Sequence, residues 1–407
     1  MQAQKKCLEA YPEIKLSRVL RRAGSFASNM SQFTELHTSG RAALYWAFRG
    51  LNLSSSSVVW MPSFHCGVEV QAALDAGLNV EFYRIGADLT FDTDEIVVGA
   101  RKRPGPILVI HYFGFGQPAI GDLATECRDR GWILIEDCAH ALFSYDKTRA
   151  LGDYAPVSVY SLRKSLPLYH GGALKVDLDV LRQVTPRPFQ APQLRRFAPR
   201  AYVQFAKQEV NRRASERFLA LLRSARGRPE VVPGTLAPTA LTHVEGRDDR
   251  MSAVCRRIAR STDAGHVIRM RRRNYAVLDA MLQKYAGYSS IFPELPAETC
   301  PLCLPIRVTR RGELLQQLHA SGIRPFVFGA YPHPELPVQE SEDTAWMRDT
   351  IVGLPVHQDM DSMDIGRLAK AVGPLLRLHR PDHAWCIGEQ RLLKCSAHND
   401  HLPVQNM

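Results

Sequence analysis

The chain has 407 residues, of which 45% are hydrophobic and 23% charged, and its 52 Lys and Arg exceed 41 Asp and Glu by a formal +11. That length suits one large domain with a smaller one and excludes a small disulfide- or metal-stapled scaffold. No stretch approaches the roughly 18 uninterrupted apolar residues of a membrane span, and the positive excess suits a polyanionic or phosphorylated partner or serves solubility alone.

The first residues, MQAQKKCLEAYPEIKL, contain no apolar run of the kind a secretory signal carries, so the expected compartment is the cytoplasm. Nine cysteines, an odd number scattered along the chain, point to reduced thiols and not to a disulfide framework.

From Ser39 to Val176 short β-branched runs alternate with helical segments, the pattern of an α/β domain on a mostly parallel sheet. Thr38-Ser39-Gly40 precedes the helical run RAALYWAFRGL, where Ala43, Trp46, Ala47 and Gly50 share a face. Strands are predicted at Val58–Met61, Asn79–Ile85, Ile107–Phe113, Trp132–Glu136, Val157–Ser161 and Ala173–Val176. Helices are predicted between them, around Val68–Gly77, Thr93–Ala100 and Ala119–Arg130.

Beyond residue 178 the composition turns to Arg, Pro and Gln, with a basic stretch over 182–228 that reads as a solvated helix face or as a contact for nucleic acid, a membrane surface or the diphosphate of a sugar nucleotide. A second helical pattern covers 252–286; then CLPIRV and FVFG read as strands and GELLQQLHASGI as a helix. The region ends near Leu378, and 379–407 reads as a loosely packed tail.

Three features carry chemistry. Glu136-Asp137 ends the apolar strand WILIED, and an acid at the carboxyl end of a sheet strand stands where open α/β folds bind ligands, although it also suits a helix cap. A buried carboxylate there needs a cation or hydrogen bonds. Ser161 and Lys164 form an S-x-x-K pair between a strand and a Gly-Gly, placing an amine where it could form a Schiff base, with Arg163 beside it. Thr38-Ser39-Gly40-Arg41 opens a helix whose free N–H groups and dipole favour a phosphate. An anion site, a strand-end Asp and a downstream lysine, in this order, are what pyridoxal phosphate requires.

The ordered series SGRAAL, MPSF, HYFGFGQPAIGDL, RGWILIEDCAHAL, LGDYAPVSVYS, the lysine segment ending in GGAL, RMS at 250–252 and GLPVH resembles the DegT-type nucleotide-sugar aminotransferases, which are fold type I pyridoxal-phosphate enzymes. The resemblance runs from Ser39 to Leu378. It implies an α/β fold, with a large domain built on a mostly parallel mixed sheet covered by helices and a smaller C-terminal α/β domain. The expected division is an arm at 1–36, a cofactor-binding domain at 37–177, a basic interdomain segment at 178–265, a small domain at 266–378 and the tail. The resemblance also implies that Lys164 is the Schiff-base lysine and proton shuttle, that Asp137 pairs with the pyridinium nitrogen, and that His140 lies near the cofactor's phenolic oxygen. Gly40, Arg41 and Ser161 would hold the phosphate. The activity implied is transfer of an amino group from an amino acid, by analogy glutamate, to a keto group of a nucleotide-linked sugar, in a homodimer.

Four positions depart from the family pattern. Cys66 stands where an aromatic usually stacks on the pyridine ring, leaving Phe64 and His65 as the nearest substitutes. Asp248 replaces an Asn that reaches the phosphate, Val159 replaces a serine, and His170 replaces the acid before Gly-Gly. These keep open a protein of this fold that acts on another substrate, or a silent homologue with a regulatory or scaffold role. Cys300-x-x-Cys303 with Cys395 and His398 has half the look of a zinc site, but the run reads better as a strand, and no metal is expected. His111 closes a strand and suits either a structural hydrogen bond or a substrate contact.

Overall fold

The computed structural model describes residues 7–13, 23–147, 149–177, 180, 250–330, 333 and 341–377. The basic stretch 182–228, Asp248, the tail, and with it Cys395 and His398, lie outside the described residues.

The chain opens with a short helix α1 (Phe26–Asn29), strand β1 (Glu35–His37) and helix α2 (Gly40–Gly50). There follow β2 (Val58–Pro62), α3 (Val68–Asp75), β3 (Asn79–Tyr83), α4 (Thr93–Lys102), β4 (Ile107–Ile110), α5 (Ile120–Arg130) and β5 (Leu134–Asp137). A small ribbon, β6 (Tyr145–Asp146) and β7 (Arg149–Ala150), leads to β8 (Val157–Tyr160), the one-turn α6 (Leu162–Ser165) and β9 (Gly172–Val176). The second part holds α7 (Ala253–Arg260), α8 (Ala264–Leu282), β10 (Cys303–Arg307), α9 (Arg311–Ala320), α10 (Glu342–Thr350), β11 (Ile351–Pro355) and α11 (Ser362–Leu376).

Seven strands form one sheet in the order β1-β9-β8-β5-β4-β2-β3. Only β9 runs against the rest: it pairs antiparallel with both β1 and β8, whereas β2, β3, β4, β5 and β8 pair in parallel. The central strands β2, β4, β5 and β8 are buried on both faces, and side-chain alternation divides them between two cores. Val58, Trp60, Ile107, Val109 and Leu134 face a core shared with the C-terminal elements. Val59, Met61, Leu108, Ile135, Val157 and Val159 face a second core closed by Ala43, Ala47 and Phe48 of α2 and Ala72 and Ala73 of α3. β10 and β11 form an antiparallel ribbon packed into the first core.

Two expectations change. FVFG is not a strand: Phe326 makes a single bridge to Gly353, and Gly329, with φ +64°, turns the chain away. Phe326 and Phe328, two residues apart, instead point one way and edge onto the ring of His140. The helix expected over 252–286 is two, because Asp263 accepts the His266 N–H at 3.1 Å and restarts the helix as a new N-cap.

Candidate active site

The parallel strands bring their carboxyl ends to one edge, and the residues singled out in the sequence follow those ends. Ser63 to Cys66 follow β2, His111 follows β4, Asp137 closes β5, and Ser161 to Lys164 follow β8. β1 points the same way, so Ser39 and Gly40 arrive at this edge too.

At the start of α2, Ser39 accepts the Ala42 N–H at 3.1 Å, and the first N–H groups of the helix keep no intrahelical partner. A methyl group on Gly40 would meet Ser161 Cβ at 3.3 Å, so this pole of the helix lies directly against Ser161. Arg41 follows, half-buried. The Gly171-Gly172 pair makes the approach possible: a Cβ on Gly172 would fall 2.1 Å from the Ser39 carbonyl, and the Gly171 N–H donates to Thr38 O at 2.7 Å. His170, where the family pattern has an acid, is buried, and burial lowers its pKa to about 4.

Lys164 lies on α6 behind Ser161, half-buried, with Nζ 5.8 Å from the Phe326 ring centre. Its ammonium acts on Asp137, His140, Cys66 and Cys303, so all four share its electrostatic surroundings. Asp137 accepts the Ala139 N–H at 2.8 Å. Burial, then the charge of Glu69, push its carboxyl up to about 6, against the pull of Lys164.

Glu69 was not anticipated. It lies in the first turn of α3, 5% exposed, and binds Cys66 twice over: the Cys66 N–H at 3.2 Å and the Cys66 thiol at 3.1 and 3.2 Å. Cys66 therefore presents a thiol tied to a carboxylate, and burial and Glu69 hold that thiol protonated.

His140 is buried, and its Nδ1 accepts the Phe113 N–H at 3.2 Å, which leaves the proton on Nε2. Burial and the nearby lysine keep the ring neutral. It lies parallel to Phe113 and edge-on to Phe326 and Phe328. Nε2 has no hydrogen-bond partner among the described residues, a buried donor awaiting an acceptor.

Phe64 and His65 are engaged elsewhere. The Phe64 ring is fully buried against Tyr112 and Phe328, and its carbonyl accepts the Tyr112 hydroxyl at 2.6 Å. His65 stacks on Phe82 and accepts the Gly67 N–H at 2.9 Å.

His111 is a structural group. Nδ1 accepts from the Gln117 N–H and Nε2–H donates to Glu136 at 2.8 Å, both buried. Glu136 faces away from Asp137 by strand alternation and also takes the N–H groups of Gly152, Tyr154 and Ala155 at 2.7–2.8 Å. With Cys138 this pair comes within 4.8 Å, but four donors already fill the carboxylate and leave no lone pair for a metal. Cys300 and Cys303 are free and buried.

Residues 27–185 match the DegT/DnrJ/EryC1/StrS aminotransferase family. Over this stretch the chain is similar to DegT-type proteins. Among relatives, a GDP-perosamine synthase from Vibrio cholerae is 24% identical over 147 residues, 35% of this chain and 40% of that one. A UDP-4-amino-4,6-dideoxy-N-acetyl-beta-L-altrosamine transaminase from Campylobacter jejuni is 28% identical over 140 residues, 33% of this chain and 37% of the relative. The matched part of the chain thus spans about two fifths of the length of these curated relatives. The structure of the aminotransferase TlmJ from Streptoalloteichus hindustanus superposes with a TM-score of 0.63, at 19% identity, over 92% of this chain and 99% of that one. The chain therefore shares the fold of that aminotransferase, the α/β architecture on a mostly parallel mixed sheet that the resemblance implied.

Proposed function

We propose that this chain is a pyridoxal-phosphate-dependent aminotransferase that moves an amino group from an amino acid, glutamate in the first instance, to a keto group of a nucleotide-linked sugar. The observation that carries this reading is the meeting of Lys164, Asp137 and the unpartnered Nε2–H of His140 at the carboxyl edge of one sheet, beside the open pole of α2. The GDP- and UDP-linked products named for its relatives support a sugar nucleotide as acceptor. The resemblance extends the proposal to a cytoplasmic homodimer.

The residues fit the cofactor. Asp137, buried and held short of full ionisation, lacks the cation that a protonated pyridine nitrogen provides; with that partner its pKa falls and it keeps the ring nitrogen charged. His140 has a free donor for a phenolic oxygen. Gly40, Arg41 and Ser161 surround a helix pole suited to a phosphate. Phe64 backs the site through its loop, where Tyr112 and Phe328 hold it. When bound, pyridoxal phosphate supplies an aldehyde carbon for amines and a ring that accepts electrons from Cα. Lys164 would provide the amine that holds the aldehyde carbon, and the same amine would carry the proton taken from and returned to Cα.

The test is an absorbance spectrum of the protein with added pyridoxal phosphate, for wild type and Lys164→Ala, before and after glutamate. A near-visible band that requires Lys164 and shifts with glutamate supports the proposal. Absence of a lysine-dependent band replaces it with the silent-homologue reading.

A further inference from the structure

Against the backbone of the lysine segment lies a buried cation that no feature of the sequence announced. Arg271 of α8 is 1% exposed and spreads all its hydrogen bonds over neutral oxygens. Nε donates to Gln358 Oε1 at 3.0 Å, one terminal nitrogen to the carbonyls of Pro301 and Leu302 at 3.2 and 3.0 Å, and the other to the carbonyls of Lys164 and Ser165, both at 3.3 Å. Gln358 repeats the contact, donating Nε2 to Ser165 O at 3.0 Å.

The lysine needs such support. α6 is a single turn of four residues, too short to hold its own shape, and its last carbonyls have no helical acceptor role to fill. A guanidinium at the carboxyl end of a helix satisfies those carbonyls and complements the negative pole. One turn on, Asn274 of α8 donates to His357 O and Met360 O at 3.1 and 3.2 Å, which fixes the loop carrying Gln358. Helix α8 thus grips the lysine segment directly and again through the loop after β11.

We propose that Arg271, with Gln358, is the positioning residue of Lys164: it sets the backbone from which the amine reaches the cofactor's aldehyde. This rests on the assignment of Lys164 made above. The planar fork spans the two backbone segments, 164–165 and 301–302, with one terminal nitrogen on each.

The experiment follows how fast added pyridoxal phosphate becomes linked to Lys164, with borohydride trapping and mass measurement of the peptide, in Arg271→Met, Arg271→Lys and Gln358→Ala. Leu278→Ala, fully buried in the same helix but remote from Lys164's hydrogen bonds, serves as the control for lost stability alone. Linkage at least tenfold slower in Arg271→Met, intermediate in Arg271→Lys and unchanged in Leu278→Ala is the expected result. Linkage in Arg271→Met as fast as in Leu278→Ala overturns the proposal. Should Arg271→Met fail to fold, Arg271→Lys and Gln358→Ala decide by the same comparison, and wild-type rates in both overturn it. A wild-type protein with no Lys164-dependent linkage would instead fail the proposed function itself.

Discussion

Asp137 and Glu69 place two carboxylates in one buried space with one ammonium, and the imbalance has a pH signature. In the cofactor-free protein the Asp137 carboxyl is raised to about 6, above its unfolded value near 3.8. The native state therefore holds a proton that the unfolded chain releases between pH 4 and 6. Stability from this group is complete below pH 4 and is lost as pH rises through 6, by about 3 kcal/mol at most. Replacing Glu69 with Gln removes the second-largest cause of the rise. Denaturant unfolding at pH 4, 5 and 6.5 is expected to show Glu69→Gln losing less stability over this range than wild type, with Asp137→Asn losing none of this component. Parallel profiles for wild type and Glu69→Gln would show that the two carboxylates do not interact. Why Glu69 escaped the sequence reading is physical: an acid in the first turn of a helix is what the helix dipole favours anyway, so VEVQAALD reads as ordinary. Arg271 was hidden similarly, within RMRRRN, where one buried arginine looks like its solvated neighbours. The places of Lys164, Asp137 and His140 were legible, because each ends or follows a strand in a recognisable run.

Among the elements, the junction of α2 with β9 depends on backbone contact and not on side chains. Gly172→Ala would set a methyl group 2.1 Å from the Ser39 carbonyl and 2.5 Å from Gly40 N, and flexible atoms do not line that gap. The start of α2 must then move from Ser161. The substitution is expected to cost about 3 kcal/mol or more and to weaken pyridoxal phosphate binding beyond the loss of stability. Gly312→Ala in α9 meets nothing within 4 Å and is expected to be neutral or to stabilise by about 0.5–1 kcal/mol through helix propensity. Thermal melts and cofactor titration of both variants check this, and equal effects would refute it. The same elements show what sequence pattern can carry. The buried parallel strands were legible as apolar runs bounded by turn residues, and α3, α4 and α5 as the helices between them. β1 was not, because three residues at a sheet edge leave too short a pattern, and FVFG misled because two aromatics alternate toward a ring cluster and not toward a sheet.

At the scale of the molecule, the largest core takes residues from Leu8 to Leu376, so the sheet and the C-terminal elements share their apolar interior. Residues 7–13 pack against that interior. Leu8, 1% exposed, bridges Ile323, with bonds to Gly322 O and from Arg324 N at 2.9 and 2.8 Å. Tyr11 edges onto Phe326 with the Arg163 guanidinium 5.2 Å over its ring, and the Glu13 N–H donates to Asp359 at 3.0 Å. Tyr11 therefore covers Phe326, which in turn borders Lys164. The segment ties the far ends of the core together and roofs the candidate site, so its loss should be felt in both. Leu8→Ala is expected to cost about 2–5 kcal/mol as a buried large-to-small change. A chain lacking residues 1–13 should unfold at a lower temperature, still in one transition, and its Cys66 should react faster with a thiol reagent while the protein stays folded. An unchanged melting temperature together with unchanged Cys66 labelling would mean that the segment lies on the core without belonging to it.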